Sequence, residues 1–174
     1  MSNQRNEALE KLIKSFEAFY NITRFEDENV LYCARCDFFQ HSQKYVLSKK
    51  AELWSADCEE FVYLFNIPRL TLDILSDCQK CAYEDGMSRI NIGPGHMYSY
   101  ITALFLCDSC DEDARKQLKK TRIYKSFHFS LHGWMDYHTS VVSFDNGKID
   151  SNSSGKSTGK ILKKILFNKK EREK

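Results

Sequence analysis

Proline and glycine are scarce in this sequence. Two prolines and seven glycines among 174 residues leave little room for flexible linkers or low-complexity segments. No stretch approaches the ~20 consecutive apolar residues that a membrane-spanning helix needs. The first residues are polar, and the apolar core of a secretory signal does not follow them. These absences argue against a linker-like, secreted or membrane-spanning chain and predict a cytoplasmic protein.

A disulfide framework is also disfavoured, because the seven cysteines are an odd number. In a reducing cytoplasm they would be thiols, thiolates or metal ligands. Apolar residues, by contrast, are plentiful: 42% of the chain is hydrophobic and 13% is aromatic. A chain of this length buries enough surface to fold without a covalent or metal staple. We therefore expect one ordinary hydrophobic core.

Apolar periodicity indicates the fold class. Residues spaced three and four apart predict a first helix, with an apolar stripe formed by Leu9, Leu12, Ile13, Phe16, Phe19 and Tyr20. A second helix is predicted over 72–83 behind an N-cap at Thr71, and a third behind Asp108 and Ser109. Strand patterns fill the segments 30–39, 45–47, 51–56, 61–65, 98–106, 124–131 and 135–144. This order predicts a single-domain α+β fold, with a mainly antiparallel sheet and helices packed against one face.

Polar stretches place the predicted turns. Residues 57–60 (Asp-Cys-Glu-Glu) separate two strand patterns and predict a hairpin loop, and Pro68 is expected to end the second of these strands. Residues 132–134 predict the turn of a later hairpin. We expect the α+β domain to occupy 1–155, including the N-terminal helix, and a basic helix or tail to occupy 156–174.

The basic tail has two interpretations. Eight lysines or arginines and two glutamates lie between Lys156 and Lys174, so the net charge of +2 conceals a mildly acidic body. Four apolar residues form one helical face in this tail, namely Ile161, Leu162, Ile165 and Leu166. Such a helix could contact nucleic-acid phosphates or an anionic membrane. Four apolar residues are few for anchoring, so docking on its own domain is favoured.

Six of the cysteines form three C-x-x-C pairs: Cys33 and Cys36, Cys78 and Cys81, Cys107 and Cys110. Two such pairs together could hold a structural zinc ion. However, residues three apart on a strand face opposite ways, and the second pair falls on an apolar helical stripe. Buried thiols are the favoured interpretation. A redox dithiol at the third pair is disfavoured by its acidic neighbours, which raise thiol pKa values.

One histidine has the setting of a functional residue. His96 follows a Gly-Pro-Gly loop and precedes a strong strand, a position that suits an acid–base group or a ligand-binding group. If neighbouring strands meet there, Lys49, Lys125, His132 and Asp136 would surround it. His128 and His132 lie four residues apart in a predicted strand, hence about 13 Å apart, and would not bind one metal ion together.

Three segments resemble an uncharacterised bacterial domain family: residues 44–54, 96–102 and 125–134. The resemblance runs from about residue 5 to residue 167, with the segments in the same order. It implies one bacterial cytosolic domain, but no activity, cofactor or catalytic residue. The cysteine pairs are not part of the recognised pattern.

Three functions remain open from the sequence. The first is a small non-catalytic binding or regulatory module for a protein or small-molecule ligand. The second is a metal-dependent hydrolase, of phosphodiesters or similar bonds, that uses His96 with a nearby lysine or aspartate. The third is an adaptor stabilised by zinc on four of the paired cysteines.

Overall fold

The computed structural model describes residues 2–27, 29–45 and 52–167. Its elements follow one another as α1 (Ser2–Phe16), β1 (Asn21–Arg24), β2 (Ala34–Tyr45), β3 (Glu52–Leu70), α2 (Leu72–Arg89), β4 (His96–Cys110), α3 (Glu112–Lys120), β5 (Tyr124–Ser126), β6 (Trp134–Ser143), β7 (Lys148–Ser151) and α4 (Lys156–Phe167). The candidate Lys49 and the predicted strand positions 46, 47 and 51 lie outside the described residues. None of the described helices is long and apolar enough to cross a membrane.

The α+β class is confirmed, but the sheet is mixed and not mainly antiparallel. Its seven strands lie in the order β1-β2-β3-β4-β6-β5, and β7 pairs with β6. The long central pairs, β3 with β4 and β4 with β6, are parallel, whereas the outer pairs are antiparallel. Helix α2 makes the crossover between the first parallel pair, and α3 followed by β5 makes the second. Parallel neighbours need such crossovers, which a sheet of simple hairpins does not.

Helices cover both faces of the sheet, which corrects the expectation of one covered face. Leu75 of α2 and Leu118 of α3 are fully buried in a cluster on one face. Leu12 of α1 and Leu162 of α4 are buried in a second cluster on the other face. The central strand lies between the two, and residues 101–107 are all buried. A strand buried on both sides has a continuous apolar run, as this one does.

Strand β3 is longer than predicted, and it continues through two positions at which the sequence predicts a strand end. Residues 57–60 lie in the middle of the strand and pair with both neighbours, so the predicted hairpin loop at this place is wrong. Pro68 does not end the strand either, because the strand continues to Leu70. Along β3, the pairing with β2 ends at Leu64, so the edge of the strand that faces β2 is free at Pro68. An unpaired edge tolerates a residue without an N–H group.

Several other element ends differ from the prediction. Helix α1 ends at Phe16, and Phe19 beyond it is exposed. Strand β4 extends through the expected caps Asp108 and Ser109, and the N-cap of α3 is Asp111. The N-cap at Thr71 is confirmed, since its hydroxyl accepts a hydrogen bond from the amide of residue 74 at 3.3 Å.

The predicted hairpin at the end of the sheet exists, with a shorter first strand. Only residues 124–126 pair with β6, and residues 127–132 form a turn. His128, Phe129 and Ser130 all have positive φ, as does Gly133. Three consecutive non-glycine residues in this region are rare. The turn presents Phe129 almost fully exposed.

Candidate functional site

Two polar centres lie back to back at one end of the sheet. Adjacent residues of β3 supply one carboxylate to each, because successive side chains of a strand face opposite sides. Glu59 pairs with Ser99 in register and faces the α2–α3 side. Glu60 pairs with Tyr100 and faces the α1–α4 side. The polar segment that suggested a loop therefore supplies the core of both centres.

The first centre is a buried hydrogen-bonded chain. Nδ1 of His96 lies 2.7 Å from the carbonyl oxygen of His132, and Nε2 lies 2.7 Å from Oγ of Ser99. The Ser99 hydroxyl donates to the Glu59 carboxylate at 2.9 Å. His96 and Ser99 are three residues apart, and a register shift at the start of β4 lets their side chains lie on the same face of the sheet. The three side chains are no more than 5% exposed.

The hydrogen bonds occupy both nitrogens of the His96 ring. The carbonyl oxygen of His132 can only accept, so Nδ1 of His96 donates to it. The Ser99 hydroxyl links Nε2 to the Glu59 carboxylate. Both nitrogens are used inside the protein, which leaves neither for a substrate.

The remaining predicted site residues are only partly brought together. The structure joins His96 to the backbone of His132, as expected from their predicted proximity. Lys125 lies exposed on β5 opposite Met135. Asp136 is the next residue along β6 and faces the other side of the sheet from His96. The ring centroids of His128 and His132 are 4.6 Å apart, because the turn replaces the predicted strand.

The second centre is a row of aromatic rings, which we call the aromatic patch. It consists of Tyr98, Tyr100, Tyr124, Trp134 and His138 on strands β4, β5 and β6. The Tyr98 and Trp134 rings stack at 5.4 Å between centroids with planes 23° apart. Tyr124 stacks on the other side of Trp134 at 5.9 Å and 28°. The patch is half-buried overall, and Tyr124 is exposed.

Two carboxylates border the aromatic patch. Glu60 accepts hydrogen bonds from the hydroxyls of Tyr20 at 2.7 Å and Thr102 at 3.1 Å. Asp136 accepts one from the hydroxyl of Ser154 at 3.1 Å. Within the described segments neither carboxylate forms an ion pair with a lysine or arginine. The patch therefore combines electron-rich rings with two carboxylates that form no ion pair with a lysine or arginine among the described residues.

His138 is the most buried polar group of the aromatic patch. It is 8% exposed, and its ring lies 4.5 Å from that of Tyr100. Its Nε2 is 3.8 Å from Asp136, which is too far for a hydrogen bond, and no described residue hydrogen-bonds to its ring. Burial lowers the pKa of His138, although Asp136 and Glu60 oppose the shift. The ring is thus neutral at pH 7 and presents an acceptor nitrogen.

This lowered pKa predicts a pH dependence of folding. The unfolded chain takes up a proton on His138 near its ordinary pKa of 6.5, whereas the folded chain does so only at lower pH. Stability should therefore fall as the pH drops below about 6.5, and be fully present above it. The free energy of unfolding, measured in urea at pH 7.5 and 5.5, should differ less in His138→Gln than in the unsubstituted protein. The control is His128→Asn, which changes an exposed histidine. Equal pH slopes in all three proteins would contradict the assignment.

Comparison with known families places most of the chain in one group. Residues 4–164 match a family model described as Domain of unknown function (DUF8052). The chain belongs to the DUF8052 family. The match begins within α1 and ends within α4, so it includes both centres of this DUF8052 domain. It confirms the predicted membership of a family without an assigned activity, while a bacterial origin stays an expectation. No curated protein and no solved structure matches the chain.

The cysteines of the DUF8052 domain are distributed over both faces of the sheet. Cys36 packs in the α1–α4 cluster, whereas Cys78 and Cys107 pack in the α2–α3 cluster. Burial raises the pKa of Cys36 and that of Cys78 to about 12 each, so both are thiols. Across residues 2–27, 29–45 and 52–167, no three histidine, cysteine or acidic side chains converge as metal ligands.

The two thiols of the third cysteine pair are shifted in opposite directions. The contact with Cys110, followed by burial, raises the pKa of Cys107, whereas the contact with Cys107 lowers the pKa of Cys110. Burial raises the pKa of Cys110 and Arg115 lowers it, and Asp150 and Asp111 raise it, as predicted for acidic neighbours.

Sequence reasoning missed most residues of the two centres in this DUF8052 domain. The sequence pattern predicts a loop for Glu59 and Glu60, and an ordinary strand for Tyr98, Ser99 and Tyr100. Two signals were present. One is a run of polar residues directly before the apolar run 61–65, and the other is the alternation of two tyrosines at the start of β4.

Proposed function

We propose that this DUF8052 domain is a non-catalytic binding module whose ligand contacts the aromatic patch. The observation that carries the proposal is the stacked row Tyr98–Trp134–Tyr124 next to Asp136, whose carboxylate accepts a hydrogen bond from Ser154. Ligand sites typically join aromatic surface to a few polar groups that set orientation.

The hydrolase alternative has less support. It relied on His96 as an acid–base group near a lysine or aspartate. Both ring nitrogens of His96 are used in internal hydrogen bonds, and its side chain is 4% exposed. Asp136 lies on the opposite face. The buried chain is better interpreted as the support that fixes the start of β4 beneath the patch.

Three further expectations concern the thiols, zinc and the basic tail. Seven free thiols suit a reducing cytoplasm. Zinc remains a hypothesis for which the described thiols form no ligand set. Residues 156–174 could still touch an anionic surface, but Leu162 is buried in the core and Ile161 alone of the predicted apolar face is exposed. We therefore assign ligand binding to the patch and not to the tail.

Thermal-shift screening against a chemically diverse small-molecule library tests the proposal. We expect compounds that raise the melting temperature of the unsubstituted protein. Their affinity should fall roughly threefold to tenfold in Tyr124→Ala, the cost of one ring–ring contact. Phe129→Ala is the matched control, because it removes another exposed ring outside the patch. The proposal fails if no compound stabilises the protein, or if binding is the same in Tyr124→Ala as in the control.

A further inference from the structure

We infer that the ligand of the aromatic patch is a small organic cation with N–H donors, of the guanidinium class. The inference rests on the proposed function and narrows it to one chemistry. Three independent features of the patch agree on it: the ring faces, the two carboxylates and the imidazole of His138.

The ring faces favour a planar cation. The π faces of tyrosine and tryptophan are electron-rich and attract positive charge within about 6 Å. Tyr98, Trp134 and Tyr124 hold their planes within 28° of one another in neighbouring pairs, so a flat group can join the same stack. A guanidinium is planar, delocalised and weakly hydrated, and it stacks on aromatic faces more readily than a compact ammonium.

The polar groups of the patch are acceptors. Asp136 and Glu60 carry negative charge, and each retains acceptor capacity beyond the hydroxyls that already donate to it. Their nearby charge also contributes, after burial, to raising the pKa of Tyr100, so this phenol adds no negative charge of its own. An anionic ligand would be repelled here, and a neutral one would leave the carboxylates unmatched.

His138 adds an observation independent of the carboxylates. The ring is only 8% exposed and forms no hydrogen bond within the described chain, yet its nitrogens still contact solvent, so a ligand can reach them. Its neutral form has one acceptor nitrogen, and Nε2 lies 3.8 Å from Asp136. A cation that carries N–H groups can donate to both at once, whereas a quaternary ammonium cannot.

The dimensions of the patch favour a small molecule over a peptide. The rings span the three neighbouring strands β4, β6 and β5, about 10 Å across at the usual strand spacing. The turn that carries Ser154 borders Asp136, and Tyr20 borders Glu60. This width suits a guanidinium with a short alkyl group.

Calorimetric titration with matched probes tests the inference. Butylguanidinium should bind at least tenfold more tightly than butylurea, its neutral analogue of the same shape, and more tightly than tetramethylammonium, which lacks N–H donors. Asp136→Asn should weaken butylguanidinium binding about tenfold, while Glu84→Gln, which removes an exposed carboxylate on α2, should leave it unchanged. A short blocked peptide with one arginine should gain no affinity over butylguanidinium.

The outcomes separate the two proposals. Butylurea binding as tightly as butylguanidinium, with both weakened in Tyr124→Ala, would overturn the cation and keep the binding module. Tighter binding of the arginine peptide would replace the small molecule by a protein partner. Absence of binding by every probe overturns the inference, and the library screen then decides separately on the proposed function. Melting temperatures of Asp136→Asn and Glu84→Gln establish that both variants are folded.

Discussion

Gly133→Ala should lower the free energy of unfolding by about 4 kcal/mol, the largest effect we expect from one methyl group in this protein. Gly133 has φ +72° and sits directly on the first residues of β4. A Cβ atom there would overlap the carbonyl oxygen of Met97 and lie 2.7 Å from that of His96. Both obstacles are backbone atoms within the sheet, so they cannot turn aside as a side chain could.

Gly147→Ala is the matched control for this prediction. Gly147 has a similar φ of +65°, but a Cβ atom there meets nothing within 4 Å. It should cost only the conformational penalty, about 1 kcal/mol. Urea denaturation followed by circular dichroism measures both variants. Equal losses in the two would show that the turn shifts freely and that it does not pack tightly on β4.

His96→Ala should lower the free energy of unfolding by about 3 kcal/mol. The substitution removes the hydrogen bonds to the carbonyl of His132 and to Ser99. It also removes the edge contact between the imidazole and Phe127, whose ring centroids are 5.6 Å apart. Glu59 would then remain buried with the Ser99 hydroxyl as its partner, and that hydroxyl would lose the imidazole on its other side. Lys125→Ala, at an exposed position, should change stability by less than about 0.5 kcal/mol.

A double variant tests whether the hydrogen bonds from His96 through Ser99 to Glu59 contribute to stability beyond the packing of these side chains. In Glu59→Leu with His96→Leu neither of the two buried polar side chains is left without the other, so the loss should be smaller than the sum of the two single losses by at least about 1 kcal/mol. The same urea transitions provide the three values. Strict additivity would mean that the carboxylate and the ring do not interact through Ser99.

Much of the fold was predictable because apolar spacing is a local property. The stripe of α1, the N-cap of α2 and the apolar runs of β3 and β4 follow from residues near in sequence. The parallel pairing was within reach as well. A continuous apolar run at 61–65, a helix and a second such run at 98–106 are typical of a β–α–β unit. The polar residues before the first run favour a turn, and that interpretation hides the β–α–β pattern.

The candidate centres were less predictable, because their formation depends on register between distant strands. Glu59 meets Ser99 only because residues 40 apart in the chain lie opposite each other in a parallel pair. His96 reaches the same face only because the ladder shifts by one residue at its start. The αL turn at 128–130 gives no sequence signal, since none of its residues is glycine. The polar residues 57–60 indicate a segment that does contribute to the candidate site, but they predict a loop where the structure has a strand.

The back-to-back placement of Glu59 and Glu60 limits how the length of β3 can change. Removing one residue from β3 after Glu60, with the end of the strand held in place by the core, would turn over the part before the deletion and exchange the two carboxylates between a sealed interior and an open surface. Removing two would restore each side chain to its own compartment. Relatives that keep both centres should therefore differ in this part of the strand by even numbers of residues, or not at all.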